Sequence, residues 1–99
     1  MKAYVLLQVR TGEITAVVRQ LCHVKAVKSA EMTFGEYDAI AIVEAGDLEA
    51  MGTVIAAQIQ TIPGVTKTNT CLAVEVDNGL VKAERDARAE VSARLSAEN

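Results

Sequence analysis

Apolar and polar positions alternate at two different periods along this chain, and the switches between them mark out its elements. Residues 2–10, KAYVLLQVR, set Ala3, Val5, Leu7 and Val9 on one face and Tyr4 and Leu6 on the other. That period of two predicts a strand, and its partly apolar second face predicts a central one. Thr11 and Gly12 turn the chain. Ile14, Val17, Val18, Leu21 and Cys22 then recur at the spacing of an amphipathic helix, with Thr11 as its expected cap. Period two returns over residues 24–34, with Val24, Ala26, Ala30, Met32 and Phe34 on one face. Lys25, Val27, Ser29, Glu31 and Thr33 fall on the other, wetter face.

Gly35 and Glu36 are placed to form a two-residue hairpin turn, because a type II′ turn favours glycine at its first central position. Residues 37–44 are the expected returning strand. Asp47 is the expected cap of a second helix with Leu48, Met51, Val54, Ile55 and Ile59 on one stripe, and Ile62-Pro63-Gly64 stops it. Residues 65–76, VTKTNTCLAVEV, read as a fourth strand. Thr66, Thr68, Thr70, Leu72, Val74 and Val76 share one of its faces, and Lys67, Asn69, Cys71, Ala73 and Glu75 share the other.

Strand, helix and strand thus occur twice in succession, over residues 3–34 and 37–76. The fold class this predicts is α+β: a ferredoxin-like βαββαβ arrangement with a four-stranded antiparallel sheet and both helices on one side. Ile40 and Ile42 alternate with Ala39, Ala41 and Val43, so the third strand is apolar on both faces. Two helices cover only one face of a sheet, and the other requires a second protein surface, most economically its own copy across a two-fold axis. Residues 79–98 form a different kind of segment, rich in Ala, Arg and Glu, with Glu84–Arg88 and Glu90–Arg94 at the i, i+4 spacing of a helix. Leu80, Ala87, Val91 and Leu95 give this C-terminal helix a narrow apolar stripe, compatible with a solvated helix or with one that docks on a partner. The chain therefore divides into a domain over residues 1–77 and a charged helix over 78–99.

Composition narrows the function. A chain of 99 residues is one domain that buries only about two-thirds of its unfolded surface, so self-association would help its stability. Net charge is −3, and Tyr4, Phe34 and Tyr37 are the whole aromatic content; neither a basic face nor stacking platforms for nucleic acid are offered. No apolar run is long enough for a bilayer and the first residues show no leader pattern, so a cytoplasmic location is expected. Cys22 and Cys71 are far apart and His23 is the single histidine, which indicates neither a zinc site nor a disulfide framework.

No metal, cofactor or catalytic set is expected. His23, near a helix C-terminus, is ordinary there, and the two cysteines fall at or beside apolar positions as small core residues do. Phosphate loops, nucleophile elbows and paired-carboxylate motifs do not occur in the sequence. Two clusters hold more interest. One is Gly35, Tyr37 and Asp38 at the hairpin, where a carboxylate sits at the mouth of an apolar run; it is either a solvated strand end or a recognition group for something cationic. The other is Thr68 and Thr70, two hydroxyls pointing the same way from one strand face, although threonine is also an ordinary strand residue.

Four stretches carry a family resemblance: V-K-x-A at 27–30, T-F-G-E-Y-D at 33–38, I-x-x-V-E-A-x-D-L at 40–48 and I-P-G-V-T-K-T-N-T at 62–70. Together, over residues 2–76, they resemble the effector (RAM) domain of the Lrp/AsnC feast/famine transcriptional regulators. The resemblance implies a ferredoxin-like fold whose dimers associate through their sheets and assemble into an octamer or decamer. It implies a free amino acid bound between neighbouring dimers, and carried over by position it assigns Gly35, Tyr37, Asp38, Thr68 and Thr70 to that site. Asp38 would then face the α-ammonium group, with threonine hydroxyls and backbone N–H groups at the carboxylate. The sequence opens on the first strand, without the family's helix-turn-helix domain, so a stand-alone module is expected, with full-length relatives as candidate partners. The competing readings are a small dimeric α/β-barrel enzyme of the monooxygenase kind and a purely structural partner of a longer regulator.

Overall fold

The computed structural model describes residues 1–74, 85–89 and 91. The elements in chain order are β1 (Lys2–Val9), α1 (Ile14–His23), β2 (Val27–Met32), β3 (Ala39–Glu44), α2 (Leu48–Val54) and β4 (Val65–Leu72). A π-helical turn, Ile55–Ile59, prolongs α2. The strands form one sheet in the order β2-β3-β1-β4, every neighbouring pair antiparallel. Each β–α–β unit leaves a gap of one strand between the two it joins, and the other unit fills it. This is the ferredoxin-like arrangement expected from the sequence.

Apolar positions of period two and period 3.6 meet in a single core. Ala3, Val5, Leu7 and Val9 of β1 and Ala39, Ala41 and Val43 of β3 are buried against Val17 and Leu21 of α1 and Met51, Ile55 and Ile59. Asp47 caps α2 as expected, its Oδ1 accepting from the Ala50 N–H at 2.7 Å. The Gln60 N–H bonds to the Ile55 carbonyl at 2.8 Å, closing the wider turn at the end of the π-helical stretch. Gly64 then reverses the chain at φ +99°, and its carbonyl accepts from the Arg10 N–H at 2.8 Å. Glycine is required for this φ, and an added methyl would in addition press on the Glu13 Cβ at 3.1 Å and the Val17 Cγ2 at 3.2 Å.

Several local expectations are overturned. Thr11 does not cap α1. Thr11 and Gly12 form a turn of their own, and Glu13 takes the cap position without a side-chain bond. The second strand begins at Val27, and its Val27 is buried on the core side opposite Val43. The register shifts between Val27 and Ser29, and the extra residue, Lys28, reverses the face parity that simple alternation assigns. The hairpin is not a two-residue turn. Thr33 N–H bonds to the Asp38 carbonyl at 2.9 Å across Phe34, Gly35, Glu36 and Tyr37, which leaves Phe34 fully exposed at the loop. Both cysteines are exposed rather than core residues, and Leu48 is exposed although it lies on the α2 stripe.

The side of the sheet away from the helices carries Tyr4 and Leu6 of β1 and Ile40 and Ile42 of β3. Tyr4 is exposed, with the Lys2 ammonium 5.0 Å from its ring centroid, and the other three are half-buried. Residues 85–89 and 91 are helical and their side chains exposed. The expected stripe residues Leu80 and Leu95, Glu84 of the first expected ion pair and both members of the Glu90–Arg94 pair lie outside the described residues.

Candidate functional site

The hairpin cluster and the threonine strand meet the same central strand from opposite flanks. Leu7 of β1 pairs with Ala39 on one side and Thr68 on the other, and Val5 pairs with Thr70. Residues opposite one another share a face. Thr68 and Thr70 therefore lie on the helix side with Val5 and Leu7, Thr68 half-buried and Thr70 exposed on the edge strand.

Asp38 occupies the end of the β1–β3 pairing. Its N–H donates to the Leu7 carbonyl at 2.8 Å, and its Oδ2 accepts from the Val9 N–H at 2.7 Å. β3 has begun only at Ala39, so the carboxylate serves as the acceptor that a further residue of β3 would have supplied to β1. One oxygen is engaged in this way, and a carboxylate has lone pairs to spare for a second donor. Thr33 Oγ1 donates to the Tyr37 carbonyl at 2.7 Å, and Gln8 Nε2 to the Glu36 carbonyl at 3.2 Å, so the loop is held from both its ends.

Tyr37 points elsewhere. Its hydroxyl accepts from Asn69 Nδ2 at 3.1 Å. Asn69 pairs with Leu6 and so lies on the side of the sheet away from the helices α1 and α2, opposite to its neighbours Thr68 and Thr70. Gly35, at φ +133° with open space around its α-carbon, sits in the exposed part of the loop. Within one chain the five candidate residues thus form two groups: Gly35, Tyr37 and Asp38 at the hairpin, and Thr68 and Thr70 across β1. Asp38 and Thr68 are separated by two strand spacings, about 10 Å.

Two polar residues join these groups without having been picked out by pattern. Asn69 lies between the threonines at the odd position of the alternation, which assigned it to the other face; nothing in the local sequence signals its bond to Tyr37. Gln60 ends the second helix, and its Nε2 donates to Thr68 Oγ1 at 2.9 Å. Gln60, Val65, Thr66, Lys67 and Thr68 line an open groove of about 330 Å³. A wider groove of about 880 Å³ lies at the opposite end of β1, between Lys2, Lys28, Glu44 and Ala73. No group of three or more His, Cys, Asp or Glu among the described residues could hold a metal ion. Nor, among them, is any helix long and apolar enough to cross a membrane.

The sequence profile of the Lrp/AsnC ligand binding domain matches residues 2–77, a span that takes in both groups and the whole sheet. The chain belongs to the Lrp/AsnC ligand-binding domain family. The solved structure of FFRP-DM1 is similar to it, with a TM-score of 0.71 and 30% identity over 74% of this chain and 97% of that one. A hypothetical protein from Pyrococcus horikoshii is similar at a TM-score of 0.71 and 29% identity, over 77% of this chain and 92% of its own. A transcriptional regulator from Neisseria meningitidis, solved as a complex with L-Met, shares the fold. There the TM-score is 0.64 at 17% identity, over 78% of this chain and 51% of the regulator. No curated protein matches the chain. Membership of the Lrp/AsnC family accounts for the order of elements shared with these structures.

Proposed function

We propose that this chain is a non-catalytic, cytoplasmic sensor of a free α-amino acid, in which two copies build each binding site. The hairpin of one copy, with Gly35, Tyr37 and Asp38, contributes the group for the ligand's ammonium. The β4 edge of another, with Thr68 and Thr70, contributes the hydroxyls for its carboxylate. The observation that carries this reading is the separation of the two groups across β1. An α-amino acid holds its ammonium and carboxylate on one carbon, so the groups that read both have to converge on a small volume. Within one chain Asp38 and Thr68 flank β1, about 10 Å apart by strand spacing, and Tyr37 reaches β4 only on the face opposite to the threonines.

Support comes also from the Lrp/AsnC ligand-binding family and from the regulator of the same fold that was solved with L-Met. Pairing through the sheet face turned away from α1 and α2, followed by assembly of dimers into an octamer or decamer, supplies the second copy. A ligand bridging two dimers then stabilises the assembled state by about 2.7 kcal/mol at a hundredfold excess over its Kd, so assembly reports the ligand's concentration. Co-assembly with full-length Lrp/AsnC relatives would pass that report to a regulator that contacts DNA.

The test is complementation between variants. Asp38→Asn and the double variant Thr68→Val/Thr70→Val are each expected to lose binding of the amino acid that most raises the wild-type melting temperature. Mixed in equal amounts and reassembled, half the hairpins and half the β4 edges are intact, so about a quarter of the sites are whole when hairpin and edge come from different chains. Recovery of that fraction in a calorimetric titration supports the shared site. No recovery from the mixture, with wild type binding normally, refutes it, and a wild type that responds to no amino acid refutes the sensor reading altogether.

A further inference from the structure

The contact between Gln60 and Thr68 couples the end of the second helix to one hydroxyl of the proposed site. Gln60 leaves the end of the π-helical turn with its backbone N–H on the Ile55 carbonyl, and its side chain reaches across to β4, where Nε2 donates to Thr68 Oγ1 at 2.9 Å. A threonine hydroxyl has two lone pairs and a single proton. With an amide N–H₂ donating into the oxygen, the proton is left to be given elsewhere.

We infer that Gln60 is a positioning residue: it fixes the hydrogen-bond polarity of Thr68 so that the hydroxyl donates to the carboxylate of the bound amino acid. The inference rests on the reading of Thr68 as part of the amino acid site and adds to it a preference for a free carboxylate, which only accepts, over a carboxamide, whose N–H₂ also donates. Gln60 touches Thr68 and acts through it. An amide in this place differs from a carboxylate of nearly the same shape, because a carboxylate only accepts. Beside Thr68 a carboxylate takes the hydroxyl proton and turns lone pairs toward the ligand.

The experiment is a double-mutant cycle in the full chain, with Gln60→Glu, Gln60→Met, Thr68→Val and the combination of Gln60→Glu with Thr68→Val. The probes are the amino acid that wild type binds and its α-carboxamide, both measured by calorimetry, with the ligand-free melting temperature of each variant as a check on folding. Gln60→Glu is expected to weaken the free amino acid at least about tenfold and to narrow or invert the preference over the carboxamide. Gln60→Met, which neither donates nor adds charge, is expected to fall between Gln60→Glu and wild type. In the Thr68→Val background the Gln60→Glu change is expected to lose most of its effect. An equal Gln60→Glu penalty with and without the Thr68 hydroxyl would mean simple charge repulsion and overturns the inference, as does unchanged affinity in Gln60→Glu. A wild-type chain that binds no amino acid removes the underlying site as well, and is distinguished from those outcomes by being seen before any variant is made.

Discussion

Asp38 serves the fold through one carboxylate oxygen, and the proposed site would use the same side chain. Its Oδ2 accepts the Val9 N–H at the point where β3 stops, a part-buried bond. Asp38→Ala leaves that N–H without its acceptor and is expected to cost about 1–3 kcal/mol, seen as a lower denaturation midpoint. Asp38→Asn keeps an oxygen in place and is expected to cost under about 1 kcal/mol while removing the negative charge. Loss of amino acid binding in the asparagine variant, with its melting temperature near wild type, would separate the two roles. Equal affinity in that variant would confine Asp38 to the fold. Gly64 has a structural requirement, since it combines φ +99° with the Glu13 Cβ and Val17 Cγ2 at 3.1 and 3.2 Å from where a methyl group would sit. Gly64→Ala is expected to lose roughly 1–3 kcal/mol, and a urea midpoint equal to wild type would contradict that. Neither role is legible from the residues alone. An Asp after Tyr and a Gly after Pro announce a turn, but only the pairing of β1 with β3 and the approach of Glu13 say what each atom meets.

Among the elements, those with a strong internal signal were readable in advance, and those whose ends depend on a neighbouring strand were not. Asp47 accepts the Ala50 N–H, a cap specified within four residues, and Asp47→Ala is expected to lower stability by about 1 kcal/mol with an unchanged m value in urea. A changed m value would mean that the loss of the cap alters the unfolded state or two-state behaviour instead. The stripes on α1 and α2 were also legible, since helical periodicity is a local property. The edge strand β2 was not. Its register shift around Lys28 is set by pairing to β3, and it puts Val27 into the core against the apparent alternation. The hairpin is wider than the glycine suggested for a similar reason: the Thr33–Asp38 bond closes it, and Thr33 Oγ1, Gln8 and Asp38 anchor it to the loop itself and to β1.

For the whole molecule, the sheet face turned away from α1 and α2 is the surface through which the proposed pairing of copies would run. Ile42 pairs with Tyr4 there, and Ile40 pairs with Leu6. Ile42→Lys puts a charge in the middle of that patch while leaving the core side of β3 untouched. It is expected to give a folded single chain by sedimentation at micromolar concentration, with helix content kept and amino acid binding lost. A dimer that persists would show that the copies associate elsewhere. The sequence by itself determined the order of elements, the faces of the two central strands and the resemblance to the Lrp/AsnC effector domain, because periodicity and short turn motifs are written locally. Only the tertiary structure decided that Tyr37 reaches Asn69 on one side of the sheet while Gln60 reaches Thr68 on the other. Those partners are eight to thirty-two residues apart, and what brings them together is strand register and a wider helical turn, neither of which any short stretch encodes.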